Sequence, residues 1–184
     1  MKLSTSKLFL ASCLGLGILA SPLKAAEDSL KVAIVDVDKL MQASKSAKQL
    51  ITELEKQRTK FQEEVSKHEE KLRELEKKLI EEQKKLSSDE FNKKREEFER
   101  QVAQVHEKVG KRREQLEKAF SDAREDIQKV ILKLVVEASE KNKYTLVLPR
   151  SVVIFREDRH EITDVILKQL DEKLPKVDFK VPTA

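Results

Sequence analysis

Apolar residues recur at alternating three- and four-residue steps from about residue 40 to residue 138. The first half of this stretch reads Leu40, Ala43, Ala47, Leu50, Leu54, Phe61, Val65, Leu72, Leu75, Leu79 and Leu86. The second half reads Phe91, Phe98, Val102, Val105, Val109, Leu116, Phe120, Ala123, Ile127, Val130 and Leu134. This is the a/d seam of a coiled coil, with Gln57, His68 and Glu82 at seam positions that are not apolar. Off the seam, Lys, Glu, Arg and Gln predominate, residues that favour helix and stay in water. Between the halves, Ser87 with Glu90 three residues on forms a capping-box pattern, and Leu86 with Phe91 fits the hydrophobic staple around it. Two helices joined by so short a turn run antiparallel. The pattern therefore predicts a hairpin over 45–138 with its tip near 86–91.

The register is testable within the sequence. If Leu86 faces Phe91, residue i faces roughly residue 177−i, as in any antiparallel pair. Each arm breaks its heptads once with two successive four-residue steps: Gln57 to Phe61 to Val65, and Arg112 to Leu116 to Phe120. Folding about Ser88 sets these two stutters at one height, where both helices unwind together. The same register sets Glu82 against Arg95. Gly110, beside the stutter, is either a tolerated change costing about 1 kcal/mol against alanine or a flexible point in the arm.

The flanks have strand-like patterns. Lys31-Val32-Ala33-Ile34-Val35-Asp36 is apolar and β-branched, and predicts a strand over 31–36. Asp36 or Asp38 then caps a helix starting at Lys39. The Asp36/Asp38 pair has a second reading as a cation site, but hard cations want about six oxygens and no companion acids stand nearby in sequence. Segments 144–148 and 152–156 read as two strands around a Pro149-Arg150-Ser151 turn, both apolar enough to be buried on both faces. Thr163 caps a last helix over 164–174, with Val165, Ile166, Leu167 and Leu170 packing inward. Residues 176–184 read as a loose tail. The domain organisation is thus a β body from 26–44 and 139–175 carrying the arm over 45–138. Such a body is too small for a secure core and leaves two open sheet edges, so it is expected to complete itself with further copies of the chain.

The first 25 residues change where this fold is expected to work. A basic start, an apolar run over 8–20 too short to span a bilayer, and small residues up to Ala25 describe a cleaved secretory signal. The segment Leu10-Ala11-Ser12-Cys13 matches a lipoprotein cleavage pattern, but so few apolar residues precede Cys13 that lipidation is the disfavoured reading. Removing Lys2, Lys7 and Lys24, with no acid before Glu27, takes the formal net charge from +4 to +1. A near-balanced mixture of charges argues against a nucleic-acid partner. No phosphate loop, zinc-protease helix or nucleophile elbow occurs, and His68, His106 and His160 lack neighbouring nucleophiles or ligands. Neither an enzyme nor a cofactor is expected.

The order of these segments resembles the Skp (OmpH-like) family of periplasmic chaperones across essentially the whole mature chain. The hairpin alone is unspecific. The resemblance is carried by Lys31-Val32-Ala33-Ile34-Val35-Asp36, Tyr144-Thr145-Leu146-Val147-Leu148, and Glu161-Ile162-Thr163-Asp164-Val165-Ile166-Leu167-Lys168-Gln169-Leu170. It implies an α+β fold: a long antiparallel helical hairpin, the coiled-coil arm, on a small β body completed by trimerisation. It further implies a homotrimer that holds unfolded outer-membrane β-barrel proteins between its arms without ATP, in the periplasm. Off-seam Ile51, Ile80 and Ala103 are the client-contact candidates. Lys84, Lys85, Lys93, Lys94 and Arg95 near the tip are candidates for anionic lipid or lipopolysaccharide, although neighbouring acids equally describe a solvated face. A structural envelope coiled coil tethering a folded partner is the competing reading; a surface adhesin is a weaker third.

Overall fold

In the computed structural model, residues 30–182 are described; the expected signal segment and Cys13 lie outside them. Strand β1, Val32–Val35, leads through Asp36 into helix α1, Val37–Ala43. The Asp36 carboxylate accepts the Lys39 N–H at 2.8 Å, so the first aspartate of the pair is a helix cap. The expected continuous helix is broken at Ser44, whose hydroxyl caps a second helix, α2, Lys45–Glu82. Asp171 also accepts the Lys45 N–H, at 2.7 Å. The outgoing arm therefore starts on a fixed elbow. Helix α3, Ser88–Asn142, is unbroken over 55 residues, about 80 Å at helical rise. It begins with the capping box: Ser87 and Glu90 bond each other reciprocally.

The register matches the folding about Ser88. Phe61, Val65 and His68 line one crevice with Val109 and Arg112, and Leu75 and Leu79 line another with Phe98. One expected pair is replaced. Glu82 meets Lys94 at 2.5 Å, while Arg95 turns to Glu99, 3.6 Å away on its own helix. Long side chains reach diagonally across the seam, so the ion pair forms one residue off the backbone register.

Helix α3 ends at Lys143, whose φ of 56° is left-handed, and the chain enters β2, Leu146–Pro149. Strand β2 pairs with β1 in parallel, Val32 opposite Leu146 and Val35 opposite Pro149. Parallel neighbours require a crossover, and here the whole hairpin is that crossover. The third strand expected over 152–156 is not formed. After Pro149, which lacks the N–H a ladder needs, the chain closes into a 3-10 turn over Arg150–Val152 and does not turn back onto β2. Separately, the other edge of β1 is taken by Glu161, with Ile162 N–H donating to the Ile34 carbonyl at 2.9 Å. Nor is β2 buried on both faces, since Leu146 stays exposed.

Helix α4, Thr163–Lys173, closes the body. Thr163 is buried but does not cap it: its hydroxyl accepts the Asp36 N–H at 2.7 Å and donates to Glu161. Ile166 and Leu170 face the core, whereas Val165 points outward. One core joins β1, α1, α4 and the arm root through Leu40, Leu50, Ile127, Leu134, Ile166 and Leu170. Over its described residues, 176–182, the tail is not loose. Val177 is buried in that core and Phe179 packs against it.

Burial falls off along the arm. Leu54 on α2 and Leu116 on α3 are the last buried seam residues, and from Phe61 and Val109 outward the seam is only half-buried. We expect Ile127→Ala and Leu170→Ala each to lose about 2–5 kcal/mol. Val105→Ala on the outer seam should lose about 1 kcal/mol. Urea unfolding at one fixed protein concentration measures both; equal losses at the two heights would contradict the gradient.

Candidate functional site: an open apolar face at the root of the arm

Residues 129–138 of α3 are apolar on two sides. Ile131, Leu134 and Ala138 enter the core. Leu132 and Val136 stand 65% and 48% exposed on the opposite flank. With Val135, Tyr144, Val147 and Pro149 they line an open groove of about 730 Å³ between α3 and β2. Beyond the groove, Val152, Ile154 and Phe155 project from the segment after β2, Ile154 fully and Phe155 83% exposed. On a chain whose surface is otherwise dense in charge, this groove and the exposed apolar side chains that follow β2 are a candidate binding surface.

The neighbouring loop is well fastened. Arg156 holds Glu161 at 2.7 Å and Asp158 at 2.8 Å, and His160 Nδ1 lies 3.0 Å from the Val32 carbonyl. The Arg150 guanidinium donates to the Val153 carbonyl. The apolar side chains are thus displayed on a braced segment. Lys39–Asp164 and Lys173–Glu137, at 2.7 and 2.6 Å, tie α4 to α1 and α3. The Asp164 carboxylate raises the pKa of Lys39, and Lys173 lowers that of Glu137. Exposed pairs of this kind stabilise little.

The residues singled out from sequence are spread over the arm. Ile51, 47% exposed, lies near the root beside Met41, Leu50 and Phe120. Ile80 is exposed near the tip and Ala103 between them. The structure does not bring the three together. At the tip, Lys94 and Arg95 have acidic partners, whereas Lys84, Lys85 and Lys93 have none within 4.0 Å among the described residues. A Cβ at Gly110 would meet nothing within 4 Å. Sequence reasoning missed the groove, although its signal was present: Val130-Ile131-Leu132 and Leu134-Val135-Val136 exceed what one helical stripe can hold.

Among the described residues, no three His, Cys, Asp or Glu side chains gather as a metal site. No described helix is long and apolar enough to cross a membrane.

These features define a class: a long helical hairpin on a small β body. The family model for outer membrane protein (OmpH-like) matches residues 31–170, and the chain belongs to that family. It is similar in fold to a solved Caulobacter crescentus protein described as an OmpH-like outer membrane chaperone. The TM-score is 0.77 at 16% identity, covering 84% of this chain and 91% of that one. No curated protein matches the chain.

Two outcomes test the arm. Gly110→Ala should raise stability by about 1 kcal/mol, because a helical glycine is replaced without a clash; urea unfolding reads this, and destabilisation would mean the glycine is required by the backbone. At the tip, the Ser87 hydroxyl, then its backbone N–H, hold Glu90 below the usual carboxylate range. A depressed pKa means the cap is at full strength above the unfolded value and weakens as pH falls through the folded one. Amide exchange over 88–91, corrected for the intrinsic pH dependence, should accelerate on acidification, and Ser87→Ala should remove most of that response.

Proposed function

We propose that the chain is an ATP-independent periplasmic holdase, a trimer that keeps unfolded outer-membrane β-barrel proteins from aggregating in the space between its arms. The observation that carries this reading is the open apolar face at the arm root. A single chain displays Ile154 and Phe155 in water beside a groove lined by Leu132, Val136 and Tyr144. Seating that segment in a neighbour's groove covers both surfaces and extends the open edge of β2. Copies joined at the root all project their arms from one body. Membership of the OmpH-like family supports the same assignment.

In this reading the arms contact the client weakly and at many points, through Ile51, Ile80, Ala103 and the half-buried outer seam, so that the client stays mobile. Lys84, Lys85 and Lys93, with Lys94 and Arg95 behind them, face anionic lipid headgroups or lipopolysaccharide at the membrane. No step of this function calls for catalysis or a cofactor.

The first test is assembly. Wild-type protein should size as three copies by scattering with mass detection, and Ile154→Asp with Phe155→Asp should yield monomers of unchanged helicity, since both side chains are exposed in the chain. A trimer surviving both substitutions would overturn the proposed interface. The second test dilutes a urea-unfolded outer-membrane barrel into buffer without ATP. A soluble complex of three subunits and one barrel is the expected result. Aggregation of the barrel beside an intact trimer would overturn the holdase reading in favour of a structural tether.

A further inference from the structure

The family match ends at residue 170, yet the described chain runs twelve residues further, to Pro182. Pro175 stops α4 by removing the backbone donor a further turn would need. After a bend at 175–176, exposure alternates over 177–182 with the two-residue period of a strand. Val177, Phe179 and Val181 turn inward; Asp178 and Lys180 face solvent, paired at 2.7 Å.

The inward face lies across both helices of the arm. Val177 and Phe179 share a groove with Gln49 and Glu53 of α2 and with Asp126 and Val130 of α3. The Gln49 side-chain oxygen accepts the Val177 N–H at 3.1 Å. Further out, the Arg112 guanidinium donates to the Pro182 carbonyl at 2.6 Å. The five steps from Val177 to Pro182 span roughly 17 Å at strand rise, about eleven residues of helical rise, so the segment runs up the arm from its root to the stutter.

That end point coincides with three other changes. Arg112 begins the stutter of α3 and lines the crevice with Phe61 and Val65. Leu54 and Leu116 are the last buried seam residues on their helices. Gly110, two residues from Arg112, has open space around it. Below this height three elements pack together; above it two helices share one half-buried seam. We propose that residues 174–182 are an intramolecular brace that clamps α2 to α3 at the root and so sets the arm's pivot at the stutter near Gly110 and Arg112. The outer arm swings there while the root stays fixed to the body. The brace rests on the fold alone and does not depend on the client reading.

Hydrogen-exchange mass spectrometry of the full-length mature protein without client tests it. In Val177→Ala with Phe179→Ala, amides of 45–56 and 117–131 should exchange about tenfold faster, with 66–105 and α4 unchanged. Ending the chain at Phe179 should speed exchange over 108–116 only. Root rates within about twofold of wild type in the double variant would overturn the brace. So would equal acceleration of the root, the outer arm and α4, which reports global destabilisation. If the double variant does not fold, the chain ending at Phe179 decides, because the residues it loses reach the arm through Arg112. Unchanged exchange over 108–116 would then overturn the pivot.

Discussion

The parallel pairing of β1 with β2 is the constraint on which the rest of the molecule depends. Two neighbouring strands that run the same way cannot be joined by a turn; the chain must leave the sheet and return to the starting end. In most folds one helix makes that return. Here it is made by α1, α2 and α3, and the consequence is geometric: the outgoing and returning feet of the arm are held side by side by four residue pairs. Thr145 reinforces the closure, its N–H donating to the Lys31 carbonyl at 2.9 Å while its hydroxyl takes the Lys31 N–H. Closing so long a loop costs entropy that grows only slowly with length. A hairpin built from near-neighbour contacts shortens the effective loop further, because its two feet arrive together.

A second constraint follows from how many elements pack at each height. At the root, α2 and α3 are covered by α1, α4 and the C-terminal segment, and side chains such as Ile127 and Leu50 are fully enclosed. Towards the tip only the two helices remain. A two-helix seam shields its apolar residues on one side, which is why Phe61, Leu75, Leu79 and Phe98 are half-buried although they occupy good seam positions. Local stability follows enclosed apolar contact. The arm is therefore stiff where it leaves the body and compliant where it extends into solvent.

What was legible in the sequence was the local part. The seam, the matched stutters and the capping box at Ser87 are set by residues within a few turns of each other, and each sits where its spacing places it. What was not legible was non-local or weakly signalled. The break at Ser44 carries no glycine or proline; it is fixed by Asp171, far away in sequence, accepting the Lys45 N–H. Pro149-Arg150-Ser151 has the composition of a hairpin turn, but the chain closes there into a 3-10 turn over Arg150–Val152 and does not fold back onto the free edge of β2. Val177, Phe179 and Val181 alternate with Asp178 and Lys180, but this signal is only five residues long and is closed at once by Pro182. The open face was masked by the seam: Leu132 and Val136 fall just off it, while scattered Ile51, Ile80 and Ala103 drew attention that the doubled apolar run over 130–136 should have received.

The distribution of apolar surface separates two kinds of contact. At the root it is concentrated in a groove and on a nearby segment in sequence fastened by Arg156 and Glu161, which suits one rigid, specific partner. Along the outer arm it is dilute: single exposed residues and a half-covered seam set among charges. No one such contact holds a polypeptide, and each is released as easily as it forms. A surface of this second kind discriminates poorly between sequences and binds appreciably only when many weak contacts act together. Several arms fixed to one body bring those contacts together, so the proposed self-association at the root is what would turn weak arm surfaces into a binding cavity.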